Sequence, residues 1–163
     1  MTGMTVIVKT VTRWVKVFIF LYGVYIVITG HLTPGGGFAG GVIIACSYIL
    51  LTLAYGKEFA LKRLGPRTAA GLDSGGSLLF LIVALLGIGS GGLFFTNFLQ
   101  KRYPGGEFQL ASAGFIPIAN IAIGLKVFSC LFLVFIILSI LRIVLDAEGK
   151  QSLVQRWPEG KEE

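Results

Sequence analysis

Acidic side chains are scarce in this sequence: eight Asp and Glu stand against fourteen Lys and Arg in 163 residues, and charged residues make up only 13%. Soluble domains run to about a quarter charged, so a chain that is 55% hydrophobic with a mean hydropathy of +0.84 reads as an integral membrane protein. Histidine occurs once, at His31, and cysteine twice, at Cys46 and Cys130. With so few ligands and no Cys-x-x-Cys, a zinc or iron–sulfur site built from this chain alone is excluded. The two cysteines are expected to be small apolar packing residues that do not bond each other. No nucleophile–base pair, carboxylate dyad or cofactor motif is present, so neither covalent chemistry nor a cofactor is expected. Nor does the net charge of +6 come with an aromatic-interleaved basic patch, which argues against a nucleic-acid partner.

What remains is apolar sequence in long runs. Residues 14–29, 38–55, 78–99 and 116–141 are each long enough, at ~1.5 Å per helical residue, to cross about 30 Å of hydrocarbon, the first with help from its flanks. The fold class is therefore all-α, a polytopic membrane protein with four transmembrane helices in a cell membrane. The first run is uncharged only over 17–29, so Arg13 and Lys16 are expected to reach along the helix to the interface. A cleaved signal peptide is the competing reading, but Thr29-Gly30-His31 is not a small-x-small site and another span follows at once, so the first span is expected to stay.

Four crossings gather Lys9, Arg13, Lys16, Lys57, Lys62, Arg63, Arg67, Arg142, Lys150, Arg156 and Lys161 on one side, eleven of the fourteen basic residues. By the positive-inside rule both termini are cytoplasmic. Residues 1–145 read as a four-helix transmembrane domain and 146–163 as a charged, loosely ordered cytoplasmic tail.

Lys126 is the one charge inside the fourth run. An ammonium at that depth costs roughly 3 kcal/mol on insertion scales, so it is expected to face a partner or a wet cavity. Because no acidic residue of this chain falls in the predicted spans, its partner acid is expected on a neighbouring subunit. The bland alternative is a structural tie to helix carbonyls. Asp73, before Ser74-Gly75-Gly76-Ser77, is placed at the cytoplasmic mouth of the third span, either as a helix N-cap or at an ion entry. Residues 56–71 alternate basic and apolar and read as an amphipathic segment on the inner leaflet. His31, at a membrane boundary, is either a proton-relay candidate or a helix-end cap.

Glycine is abundant, 23 residues in all, and concentrated in the connections. Gly30-His31-Leu32-Thr33-Pro34-Gly35-Gly36-Gly37-Phe38-Ala39-Gly40-Gly41 forms an outer turn leading into the second span. It lacks the Lys or Arg of a phosphate cradle, so it reads as a tight hairpin in which Pro34, Gly35, Gly36, Gly37, Phe38, Gly40 and Gly41 pack against another subunit. Pro104-Gly105-Gly106-Glu107-Phe108 is a weak echo of it. Gly87-Ile88-Gly89-Ser90-Gly91-Gly92 resembles a dinucleotide turn but lies in an apolar run, where Gly87 and Gly91 instead suit close helix contact or a local break.

The Gly-His-x-x-Pro-Gly-Gly-Gly-Phe-x-Gly-Gly run resembles the signature of the MnhB/MrpB family, the B-type subunit of multisubunit cation/proton antiporters, over roughly residues 14–145. Ile116-Pro117-Ile118-Ala119-Asn120-Ile121-Ala122-Ile123-Gly124-Leu125-Lys126-Val127 is similar to the version found in energy-converting complexes such as membrane-bound hydrogenases and sulfane reductases. The resemblance implies a subunit that does not transport alone but assembles with other antiporter subunits into a machine exchanging Na+ for protons. Lys126, His31 and Asp73 are then the ion-path candidates. The alternatives are a passive scaffold that seals and positions the channel subunits, or a free-standing Mrp antiporter.

Overall fold

The computed structural model describes residues 4–89, 93–102, 113–145 and 151–155. Four helices are long and apolar enough to cross a membrane: α1 (Val6–Thr29), α2 (Gly36–Tyr55), α4 (Pro66–Gly89) and α6 (Ile116–Ile140). Two short helices, α3 (Lys57–Arg63) and α5 (Phe98–Arg102), lie in the connections. The all-α, four-span architecture is the expected one. After α6 comes an addition, strands β1 (Leu141–Leu145) and β2 (Gln151–Gln155), paired antiparallel with Leu141 opposite Gln155. A segment of the tail expected to be loosely ordered is thus a strand folded back on β1, the stretch that follows the fourth span.

Local chemistry explains most boundaries. Proline closes no intrahelical bond at a helix start, and Pro66 and Pro117 open α4 and α6. Gly56, at φ +91°, breaks the chain between α2 and α3. The helices pack side by side in the order α1, α2, α6, α4, with α1 also touching α6. Helix α6 is therefore shared by two seams. On one side Phe128, Phe132, Ile136 and Ile140 bury against Ala45 of α2 and Ala69 of α4. Nearer the start of α6, Phe115 and Ala119 bury with Val83 of α4, under Phe80 and Phe98. Trp14, Phe18, Leu21 and Leu138 point outward, as lipid-facing side chains do.

The third span is displaced from its expected position. It is not 78–99 but Pro66–Gly89, so 66–71, read as part of a surface segment, begins a membrane helix, and only Lys57–Arg63 forms a separate short helix. At the other end the helix is described to Gly89, and Leu93–Thr96 folds back so that the Phe95 amide donates to the Ala84 carbonyl at 3.3 Å. Both cysteines are exposed on their helices, not packed within the chain.

Candidate functional site

Two polar constructions stand out, one on each side of α6. The first is the outer turn. Gly35 and Gly36 sit at φ +134° and +71°, a region open to glycine, and swing the chain from α1 into α2. The following glycines are consumed by close approach to this chain's own helices. A methyl on Gly37 would collide with the Asn120 carbonyl of α6; on Gly41 it would lie 2.7 Å from the Gly124 oxygen, and on Gly40 2.8 Å from the Gly23 oxygen of α1. Such glycine contacts let helix backbones touch where lipid provides no hydrophobic drive.

The Asn120 side chain closes this seam. Its Oδ1 accepts the Gly37 amide at 3.4 Å, while its buried Nδ2 has no hydrogen-bond partner among the described residues. The two motif regions, 83 residues apart, are thus in contact. The expectation that the turn packs on another subunit is corrected for Gly37, Gly40 and Gly41, which pack against this chain's own helices, whereas Pro34, Gly35 and Phe38, the last 66% exposed, face outward. His31 lies half-buried just after α1, where Thr29 and Thr33 hydroxyls meet at 3.3 Å.

The second construction joins α6 to α4. Lys126 Nζ donates to Asp73 Oδ1 at 3.1 Å, a salt bridge between the two helices. Its partner acid is therefore supplied by this chain, contrary to the expectation of a neighbouring subunit. The reason is the displaced third span: Asp73 is the eighth residue of α4, two turns inside the helix, not an N-cap at its mouth. Lys126 is ten residues into α6, about 15 Å along it, close to the middle of a bilayer core about 30 Å thick.

Gly76, one turn beyond Asp73, lets the two helices approach, since a methyl there would lie 2.8 Å from the Ala122 oxygen and 3.2 Å from Lys126 Cβ. The pair is not enclosed. The side chains remain 48% and 31% exposed on the surface of this chain, and Cys130, one turn after Lys126, is exposed on the same face.

The remaining predicted sites divide as well. Gly87 is approached not by another helix but by the fold-back, with Thr96 N 2.7 Å from an added methyl. Gly91 and the 104–108 echo lie outside the described residues. Asn97 escapes a sequence reading altogether. Its side chain donates to the Ala113 carbonyl at 2.8 Å and accepts the amides of Gln100 and Phe115, tying the outer loop to the start of α6. Only its place after an apolar run, before a short helix, signals a cap. Among the described residues no three His, Cys, Asp or Glu gather as a metal site.

This architecture has known relatives. A family profile described as a domain related to the MnhB subunit of Na+/H+ antiporters matches residues 7–133. The chain is 36% identical over 117 residues to the B-type subunit of a Na(+)/H(+) antiporter of Bacillus subtilis, covering 72% of this chain and 77% of that protein. It is 32% identical over 150 residues to an uncharacterized protein of Methanocaldococcus jannaschii, covering 90% of this chain but 56% of that one, so it spans little more than half of that relative's length. Among solved structures it is similar to a chain of the membrane-bound sulfane sulfur reductase, an archaeal respiratory membrane complex. The TM-score is 0.68 at 34% identity, covering 83% of this chain and 57% of that chain.

Proposed function

Because the chain belongs to the family related to the MnhB subunit of Na+/H+ antiporters, we propose that it serves as a non-catalytic membrane subunit of a Mrp-type cation (Na+)/proton antiporter module. Its likeness to a chain of the sulfane sulfur reductase complex favours a larger energy-converting assembly over a free-standing antiporter. Its partners are other antiporter subunits and, in such an assembly, hydrogenase-like ones. Both termini are cytoplasmic, on the strength of the eleven basic residues that four crossings collect on one side.

The observation that carries the reading is the ion pair. An ammonium has three donors, and Asp73 Oδ1 takes one. The rest of the polar capacity turns outward from the chain at mid-depth, where contact with acyl chains costs several kcal/mol. A partner subunit's polar groups or a hydrated seam supplies what is missing. In that seam Asp73 offers the carboxylate that a proton or Na+ visits, and Lys126 the fixed positive charge that keeps cations from resting there. His31, near the opposite end of α1 from Lys9, is the candidate for proton exchange with the outer face.

Neutralising the pair in the assembled complex tests this. Lys126→Met or Asp73→Asn alone strands one charge in the membrane and is expected to impair both assembly and exchange. The double variant removes both charges. It is expected to restore assembly while Na+-dependent proton movement in vesicles stays low. Full exchange in the double variant would leave the passive scaffold, a reading favoured by the glycine-locked seam, as the better account.

A further inference from the structure

Away from α6, a cavity of about 320 Å³ opens between α1, α2 and the end of α3. Two of its lining side chains are cations, Lys16 and Arg63, and none is acidic. Neither makes an ion pair among the described residues, although the Arg63 guanidinium lies 5.5 Å from the Phe59 ring centroid. The rest of the wall is mostly apolar, with Phe20, Leu21 and Leu51 beside Tyr48, and Phe20 and Leu21 are themselves exposed on the side of the bundle. Lys16 lies thirteen residues before the end of α1 at Thr29, about 20 Å along the helix, which sets the cavity in the half of the bilayer nearer the basic ends of the chain.

We propose that this cavity binds an anionic phospholipid from the leaflet on the basic side, its phosphate between Lys16 and Arg63 and an acyl chain along Phe20 and Leu21. Two uncompensated cations call for an anion. A lateral apolar wall continuous with lipid-facing side chains calls for a hydrocarbon chain attached to it. A basic pocket between membrane helices on the positively charged side is the form that headgroup sites take. A free phosphate satisfies only the first requirement. This inference does not depend on the ion pair at Lys126.

Fluorescence quenching reads the occupant directly. The full chain carries Phe20→Trp as reporter, with Trp14→Phe and Trp157→Phe removing the native indoles, in vesicles of phosphatidylcholine mixed equally with phosphatidylglycerol. Either lipid is brominated in turn. Brominated phosphatidylglycerol is expected to quench more strongly than brominated phosphatidylcholine, and the preference to fall about fivefold for each cation removed by Lys16→Gln or Arg63→Gln. The charge-conserving pair Lys16→Arg with Arg63→Lys must keep the preference, which separates a charge effect from a folding defect, and Lys16→Arg or Arg63→Lys alone must keep it likewise if the double does not fold. Equal quenching by the two lipids, or a preference indifferent to both Gln variants, overturns the proposal. Reversal of the preference by inorganic phosphate marks a free-anion site and overturns it too. So does a reporter that neither lipid reaches in the assembled complex, since a partner protein then fills the cavity.

Discussion

Helix α6 makes two seams of opposite character, and the contrast says which polar groups of this chain serve its own fold. Toward α2, the small residues Gly37, Gly41 and Gly124 bring backbones together, and the Asn120 side chain accepts a Gly37 amide within the seam. Toward α4, Gly76 permits the same closeness, but the charged pair it brings together stays half-exposed. A polar group that closes a seam within its own chain, as Asn120 does through Oδ1, is explained by folding. One left at the surface of a membrane helix bundle at mid-depth needs something outside the chain, and there the search for function belongs.

The largest effect is expected where that contrast is sharpest, in the closed seam. Gly41→Ala sets a methyl 2.7 Å from a backbone oxygen and 2.9 Å from Val127 Cβ, and backbone cannot rotate aside as a side chain can. Overfilling a tight contact costs about 1–3 kcal/mol, so the thermal midpoint of the purified chain in detergent should fall clearly. Adding Gly37→Ala should lower it further. If both variants melt like the unaltered chain, the closed seam is looser than its distances imply.

How far this arrangement can be read from the sequence follows the same division. Helix α6 is legible to within a residue, because a long apolar run whose one charge is Lys126 and which opens on a proline has no competing reading. Helix α4 is not. Gly71-Leu72-Asp73-Ser74-Gly75-Gly76-Ser77 has the composition of a loop, and local propensity is a weak prior against what tertiary contact adds at Gly76 and Asp73. Misplacing that helix hides the acid beside Lys126. The glycine turn and the Asn120 segment are each recognisable alone, but their contact spans 83 residues and no spacing rule predicts it.

A smaller effect is expected from Asn120→Ala, which sharpens the comparison by removing the polar element of the closed seam while leaving its glycines. The bond from the Gly37 amide is long, at 3.4 Å, and the buried Nδ2 has no described partner to lose. Its loss should therefore lie at the low end for a hydrogen bond, about 0.5–1 kcal/mol. The measurement is again a melting midpoint, with exchange in the assembled complex expected to persist. A collapse of exchange with little loss of stability would move Asn120 from the structural seam to the ion path.

The smallest effect belongs to the far face of α4. Gly71 and Gly75 lie four residues apart, on the side opposite Asp73, and an added methyl at either would meet nothing within 4 Å. In the isolated chain Gly75→Ala should therefore be neutral or slightly stabilising, by up to about 1 kcal/mol, because alanine is the better helix former and no neighbour is displaced. In the assembled complex the same methyl becomes informative. Glycines four apart are what a second membrane helix packs against, so a substitution that raises the melting midpoint alone yet weakens assembly would mark the Gly71–Gly75 face of α4 as turned toward a partner, on the side away from the Lys126–Asp73 pair. A substitution silent in both settings would leave that face to lipid, and in either case the outside help that the ion pair requires reaches it from its own exposed face, which Cys130 shares.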